Sequence, residues 1–244
     1  MRAGAAPLAG RTFLACAASI AACGAFMSAY WAWLPDVSEL RSENPKTTKY
    51  MELYVRRILQ RGGKPMVSMR WTPLEEMSPY LRRAVLVAED DSFYSHRGVD
   101  WPSLKQAMGY NLRRRKLARG ASTITQQVAR NLFLSPRRSP ARKLQELLIA
   151  RHLDRSLDKD RVLELYLNIV EWGEGIFGAE AASRAYFEKH AAELTPEEAV
   201  ALVAALPSPY RLHPSRSPDP VTLKKIGVYL ERMRARGYLP RVER

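Results

Sequence analysis

The sequence predicts a mainly α-helical domain that follows a single N-terminal transmembrane helix. Three observations support this fold class. An uncharged apolar run covers residues 12–34, and helix-start signals recur regularly from Ser78 onward. No segment alternates polar and apolar residues over any length, as a half-buried strand would. The 244 residues leave room for one sizeable domain and an appendage.

The N-terminal run, TFLACAASIAACGAFMSAYWAWL, is long enough to cross the roughly 30 Å hydrocarbon layer of a membrane. Two arginines precede it and acidic residues follow it, so the positive-inside rule places residues 1–11 in the cytoplasm and the rest of the chain outside. Two alternatives stay open. The run could be a cleaved signal peptide, or the segment IAAC could be a lipoprotein processing site that cuts at Cys23.

The net charge of +14 indicates an anionic partner, which could be nucleic acid, phospholipid headgroups or an anionic substrate. A basic domain outside the membrane meets anionic lipid before it meets DNA. The chain also lacks the interleaved basic and aromatic residues of a base-stacking platform, so we expect no nucleic acid. The two cysteines, Cys16 and Cys23, both lie inside the apolar run, and the outer part therefore has no disulfide or zinc–thiolate site.

Residues 35–70 are predicted to form a juxtamembrane connector and membrane-proximal elements. A helix is expected over 46–61, closed by Gly62-Gly63, and a short extended piece, PMVSMRW, follows it. The main domain then covers 71–244.

Local start signals predict the helices of this domain in order. Serine, threonine and aspartate accept hydrogen bonds from the free N–H groups of a first helical turn, and proline suits that turn. Such signals occur at Ser78-Pro79, Asp100 with Pro102, Thr123 with Gln126, Ser139-Pro140, Thr195-Pro196 and Asp219-Pro220. RVLELYLNIV is apolar at helical spacing, and the last helix should stop at Gly237. Loops are predicted near 115–121, 134–139, 172–177 and 207–219.

The stretch LVAEDDSFYSHRGVD suggests a catalytic carboxylate. Glu89 lies near the C-terminal end of an apolar helix, where the helix dipole disfavours an anion and partial burial would raise the carboxyl pKa. Both effects suit a general base near neutral pH. The alternative is an exposed helix-end carboxylate, and a lone His96 is more often a structural hydrogen-bonding group than a catalyst.

Two further segments carry binding groups. RGASTITQQVARN places several neutral hydrogen-bonding side chains at a helix start after Gly120, which suits an anionic or sugar-like ligand. In RKLQE, helical spacing brings Arg142 and Lys143 beside Glu146, which suits a phosphate clamp next to a second carboxylate. The alternatives are ordinary helix caps and a surface ion pair.

Five segments in order resemble the motifs of the peptidoglycan glycosyltransferases, the membrane-bound family with a lysozyme-like fold. They are EDDSFYSHRGVD, RGASTITQQVARN, RKLQELLIARHLD, RVLELYLNIVEWGEGIFGAEAAS and LTPEEAVALVAALPSPYRLHP. The match spans about Trp71 to Pro214. No room follows it for a transpeptidase domain, so the chain is similar to the monofunctional biosynthetic transglycosylases. The resemblance implies polymerisation of lipid II at the outer face of the inner membrane.

By this resemblance, Glu89 matches the general base that deprotonates the 4-hydroxyl of the acceptor sugar. That oxygen attacks C1 of the donor and expels undecaprenyl pyrophosphate with inversion. Glu146 matches a second essential carboxylate near the leaving group. The remaining motif positions imply substrate binding by Asp90, Phe93, His96, Gly120, Ser122, Thr123, Gln126, Gln127, Arg130, Asn131, Arg142 and Lys143. One departure is Arg130, where the family often has lysine, and the two side chains donate hydrogen bonds with different geometry.

The resemblance requires no cofactor, although it allows a divalent cation, Mg or Mn, at the pyrophosphate. The sequence has no dedicated metal cage. Expected partners are lipid II, the growing glycan strand and the membrane, with penicillin-binding proteins and the division or elongation machinery as protein partners. Three alternatives remain: a lytic transglycosylase or hydrolase, a non-catalytic membrane scaffold for cell-wall enzymes, and a membrane-tethered nucleic-acid binder.

Overall fold

The computed structural model describes residues 34–114, 121–137, 139–212 and 220–240, together with Ala18 and Pro214. The chain divides into two units, Met1–Asp36 and Val37–Arg244, and every element given below belongs to the second. The predicted transmembrane helix over 12–34, the proposed processing site at Cys23 and most of the predicted loop 115–121 lie outside the described residues. Of the helices that are described, none has both the length and the apolarity needed to cross a membrane.

The second unit is mainly helical, as predicted. In chain order its helices are α1 Lys49–Gln60, α2 Pro79–Glu89, α3 Trp101–Arg114, α4 Ile124–Phe133, α5 Pro140–Ser156, α6 Lys159–Ile169, α7 Ala179–Phe187, α8 Pro196–Ala205 and α9 Pro220–Ala235. Short 3-10 turns occur at Glu39–Arg41, Leu74–Glu76 and Ala191–Glu193.

Most helices begin where the sequence signals place them, because the signals are local hydrogen bonds that form within one turn. The Ser78 and Ser139 hydroxyls accept from the first-turn N–H groups of α2 and α5. Thr123 and Thr195 form complete capping boxes at the starts of α4 and α8. Helix α7 had no such signal. It follows Gly178, which makes no side-chain cap.

The first residues of the second unit pack against its helices. Arg161 of α6 donates to the backbone carbonyls of Leu40 and Glu43, each at 2.8 Å. Val37 is buried. Residues from Val37 onward are therefore part of the folded unit.

A small sheet corrects the prediction of a loop over 172–177. Strands β1 (Ser68–Met69), β2 (Glu171–Gly173) and β3 (Ile176–Phe177) form a sheet in the order β1-β3-β2. Strand β3 pairs parallel to β1 and antiparallel to β2. Strands of two or three residues are too short to show an alternating pattern, so the sequence could not reveal them.

The turn of this hairpin depends on Gly175. Its φ of +72° lies in the left-handed region, and a Cβ there would come within 2.3 Å of the Met66 backbone oxygen. Only glycine fits this position without displacing the backbone.

The core forms where α2 packs on α8 and where α4 packs between α5 and α6. Helix α8 is buried on nearly all sides, with Val200, Leu202 and Val203 fully inaccessible. Burial of each such side chain contributes about 1.5–3 kcal/mol relative to exposure. Helix α9 packs on α2 and α8. This packing brings the C-terminal end of α2 to the start of α4, which is where the predicted site lies.

Candidate active site

Glu89 is the last residue of α2, as predicted, and its carboxylate is held by a side chain from α4. The Nε2 of Gln127 donates a 2.7 Å hydrogen bond to its Oε2. Burial raises the pKa of Glu89 above its ordinary value, while the Gln127 bond and the nearby Arg130 guanidinium oppose part of that rise. The result is a half-buried carboxyl group suited to accept a proton near neutral pH.

Asp90, the neighbour of Glu89, joins two of the predicted segments. Its buried carboxylate accepts a 3.0 Å hydrogen bond from the N–H of Ile124, in the first turn of α4. Both of its oxygens also lie 3.0 Å from His96 Nε2, which carries the proton because a carboxylate only accepts. The Thr123 hydroxyl adds a 2.6 Å bond to the Gly98 carbonyl. These contacts fix the end of α2 against the start of α4.

The third segment forms a buried charge cluster. Glu146 is fully buried, and its two carboxylate oxygens bond separately to Arg142 and Lys143. The Arg142 distance is 2.6 Å. Lys143 Nζ also donates a 2.9 Å bond to the Ser122 hydroxyl, so this cluster connects to the start of α4.

Two cavities meet at Glu89 and Ser122. The first, of about 550 Å³, is bordered by residues 89–92, 95 and 96, the start of α3, residues 121–123 and Arg236. The second, of about 860 Å³, is bordered by Gln127, Arg130, Asn131 and a set of residues that includes four tyrosines. Because Glu89 borders both, a proton acceptor there can reach molecules in either cavity.

The predicted site residues divide by location. Eight border one or both cavities: Glu89, Asp90, His96, Ser122, Thr123, Gln127, Arg130 and Asn131. Five border neither cavity: Phe93, Gln126, Arg142, Lys143 and Glu146. Phe93 packs beneath Lys159, and Gln126 completes the cap of α4. The predicted site residue Gly120 lies outside the described residues.

The structure adds residues that sequence reasoning missed. Around the larger cavity these are Tyr50, Tyr166, Glu171, Tyr210 and Tyr229, and beside the smaller one Arg236, which pairs with Asp91. Tyr166 and Glu171 stand inside the motif RVLELYLNIVEWG and Tyr210 inside LTPEEAVALVAALPSPYRLHP, so their place in these motifs was the available signal. Tyr229 and Arg236 come from α9 and the turn after it, and no local pattern connects them to Glu89.

One end of the larger cavity is bordered by two residues of a hydrogen-bonded chain, Tyr210 and Glu171. Arg57 donates to the Tyr210 hydroxyl at 2.9 Å, and that hydroxyl donates to Glu171 at 2.7 Å. Burial raises the pKa of Glu171, with the Tyr210 bond opposing it, and burial raises the pKa of Tyr210 to about 12. This end of the cavity therefore offers hydroxyl and carboxyl groups that can bind a polar ligand.

Among the residues that the structure describes, no three histidine, cysteine or carboxylate side chains cluster as a metal site requires. At Glu146, each carboxylate oxygen faces a cation and the residue has no exposed surface. This donor set does not suit a divalent cation, which needs several available oxygen ligands.

Comparison with known proteins shows which sequences this chain resembles. The model of the Transglycosylase family matches residues 57–234. A biosynthetic peptidoglycan transglycosylase of Azoarcus sp. (strain BH72) is 41% identical over 205 residues, covering 84% of this chain and 86% of its own. Proteins with the same name from Chromobacterium violaceum and Aromatoleum aromaticum are 40% and 43% identical, covering 79% of this chain and 84% and 81% of their own.

Proposed function

The chain belongs to the Transglycosylase family, and from that premise we propose that it polymerises lipid II into β-1,4-linked glycan strands and releases undecaprenyl pyrophosphate. It is a glycosyltransferase of peptidoglycan synthesis. The observation that carries the proposal is the position of Glu89, a half-buried carboxylate of raised pKa at the junction of two cavities.

The reaction needs one proton acceptor and one stabilised leaving group. The Glu89 carboxylate accepts the proton of the acceptor's 4-hydroxyl while that oxygen forms a bond to C1 of the donor. The bond between C1 and the pyrophosphate oxygen breaks, and its electron pair leaves with the pyrophosphate. Attack from the face opposite the leaving group converts the α-linked donor into a β-1,4 linkage. Two cavities that share Glu89 suit two sugar substrates that react at one point.

Cations near Ser122 stabilise the departing diphosphate. Lys143 has 35% of its side chain exposed and donates to Ser122, a residue that borders both cavities. Arg130 borders the larger cavity and contributes a second positive charge. Glu146 is fully buried, so we assign it the role of holding Arg142 and Lys143 in place. Because this donor set does not suit a divalent cation, no step is assigned to one.

The burial of Glu146 also favours synthesis over cleavage. Two-carboxylate glycoside hydrolysis needs both groups in the substrate cleft, one on each side of the scissile bond. Here Glu146 is fully buried, is paired with two cations and borders neither cavity.

For location, we propose that residues 12–34 anchor the chain in the inner membrane and that the catalytic domain over 71–244 lies on the outer face. The uncharged apolar run and the arginines before it support this arrangement. An anchored domain meets a polyprenyl-linked substrate in the plane where that substrate lies. The net positive charge suits both the lipid headgroups and the pyrophosphate.

The test uses the full chain in detergent, incubated with lipid II and, separately, with isolated sacculi. We expect polymer from lipid II, a loss of about 100-fold or more in Glu89→Gln, and near-parental activity in the control variant Glu75→Gln, which changes an exposed carboxylate. Soluble fragments from sacculi without polymer from lipid II would reverse the assignment. Glu89→Gln activity within a few-fold of the parent would remove Glu89 as the base.

A further inference from the structure

We propose that Tyr166 is a positioning residue for the catalytic base and acts on Glu89 through the side-chain amide of Gln127. The inference rests on the proposed function, because it takes Glu89 to be the general base. It assigns a role in the reaction to a residue of α6 that lies in the core.

Three side chains from three helices form the contact. The Tyr166 hydroxyl donates to Gln127 Oε1 at 3.3 Å, and Gln127 Nε2 donates to Glu89 Oε2 at 2.7 Å. Arg130 Nη2 lies 3.5 Å from the same Oε1. The Asn131 amide also donates to the Gln127 backbone carbonyl at 2.8 Å, which stabilises this part of α4.

This arrangement determines which end of the Gln127 amide faces Glu89. A glutamine amide carries an acceptor at one end and donors at the other. With Oε1 directed at the Tyr166 hydroxyl and the Arg130 guanidinium, the NH₂ group is directed at the carboxylate. The flipped amide would place its oxygen against the Glu89 carboxylate and its NH₂ group against the Arg130 guanidinium, which can only donate, and the Tyr166 hydroxyl would have to accept instead of donate. The Glu89 carboxylate and Arg130 therefore disfavour the flipped amide, and the hydrogen bond donated by Tyr166 adds to the orientation in which Gln127 supports the ionised base.

The burial of Tyr166 makes it a dependable donor. The side chain is about 1% exposed, and burial, together with the negative charge of Glu89, raises the pKa of its hydroxyl well above the ordinary value. The hydroxyl therefore keeps its proton across the working pH range. A buried hydroxyl without a hydrogen-bond partner is costly, and the bond to Gln127 avoids that cost.

The groups that face Glu89 determine how its titration responds. Asp90 follows it on its own chain, Arg130 faces it from α4, Tyr166 from α6, and Lys225 and Tyr229 from α9. Of these, Tyr166→Phe changes no formal charge and removes a single oxygen atom. The variant should weaken the Gln127 bond to the ionised carboxylate and so raise the pKa of Glu89 further, which moves the acidic limb of the activity profile to higher pH.

The experiment measures the pH dependence of lipid II polymerisation by the full chain for the parent, Tyr166→Phe, Gln127→Met and a control, Tyr186→Phe. The Tyr186 hydroxyl bonds to the Trp172 backbone carbonyl at 3.2 Å, and Tyr186 borders neither cavity. We expect the acidic limb to shift upward by about half to one pH unit in Tyr166→Phe and further in Gln127→Met. At neutral pH kcat should fall several-fold, KM should stay within about two-fold, and the control should match the parent.

The outcomes separate the two proposals. A parent without polymerising activity would overturn the proposed function, whatever the variants do. An active parent whose acidic limb superimposes on that of folded Tyr166→Phe would overturn the role of Tyr166. Should Tyr166→Phe fail to fold, an unshifted limb in Gln127→Met would overturn the role of Tyr166, because that role acts through the Gln127 amide, while a shifted limb would support the step from Gln127 to Glu89. A loss of kcat without a shift of the limb would also overturn it, because a purely structural defect predicts that result.

Discussion

Replacing Glu146 with glutamine tests the buried charge cluster that supports the leaving-group site. The variant keeps the volume of the side chain but removes its charge. Arg142 and Lys143, which now bond to separate oxygens of one carboxylate, would face each other without a counter-charge. We expect both a less stable domain and a displaced Lys143.

The magnitude follows from how far the three groups are exposed. Breaking a fully buried ion pair costs about 3–5 kcal/mol. The carboxylate is fully buried here, but the Arg142 and Lys143 side chains are 15% and 35% exposed, so water screens part of the unbalanced charge. We expect the free energy of unfolding to fall by about 2–3 kcal/mol. For a domain of this size that lowers the Tm by roughly 4–12 °C.

The assay is thermal unfolding of the parent, Glu146→Gln and the exposed control Glu75→Gln in the same detergent, with lipid II polymerisation measured beside it. In the double variant Lys143→Met with Glu146→Gln, the free energy of unfolding should fall by less than the sum of the two single decreases. The reason is that each substitution removes the charge that the other substitution leaves unpaired. A Glu146→Gln protein that melts within about 1 °C of the parent would refute the buried-cluster argument. So would strict additivity in the double variant.

Two further predictions concern carboxylates that support the fold. Asp90→Ala leaves the Ile124 N–H and His96 Nε2 without their acceptor and should lower the free energy of unfolding by about 2–4 kcal/mol in urea titrations. Asp90→Asn keeps an acceptor for Ile124 and should lower that free energy by less. Equal decreases in the two variants would contradict the argument. Burial alone would raise the pKa of Glu180, but the Ala191 N–H and the Arg184 and His190 side chains lower it below its ordinary value of 4.5. The stabilisation that Glu180 contributes is therefore complete above about pH 4.5 and is lost as the pH falls through the lower pKa of the folded state. The free energy of unfolding should fall less steeply with decreasing pH in Glu180→Gln than in the parent. An equal slope in the two proteins would contradict a stabilising role for the ionised Glu180 carboxylate.

The helices were largely predictable because their signals act within one turn. Ser78, Thr123, Ser139 and Thr195 each cap the helix that the sequence assigned to them. The failures have the same origin. Helix α7 follows a glycine and has no side-chain cap. The strands of the hairpin at Gly175 are too short to show an alternation of polar and apolar residues.

The candidate site was predictable in part. The position of Glu89 at a helix end and the upward shift of its pKa followed from the apolar run before it. Grouping Arg142, Lys143 and Glu146 followed from helical spacing. The sequence did not show that Glu146 would be fully buried, because burial depends on α4 and α6 packing over α5. It also did not show that Phe93 and Gln126 would lie away from both cavities.

By itself, therefore, the sequence determined the helical class, most helix starts, the family and the identity of the proposed base. Each of these depends on residues close together in the chain or on ordered motifs. Only the tertiary structure decided that Gln127 and Tyr166 support Glu89 from 38 and 77 residues away in the chain, and that α9 and the turn after it supply Tyr229 and Arg236 to the cavity walls. These contacts form because packed helices bring distant residues together, and no local pattern in the chain records which helices will meet.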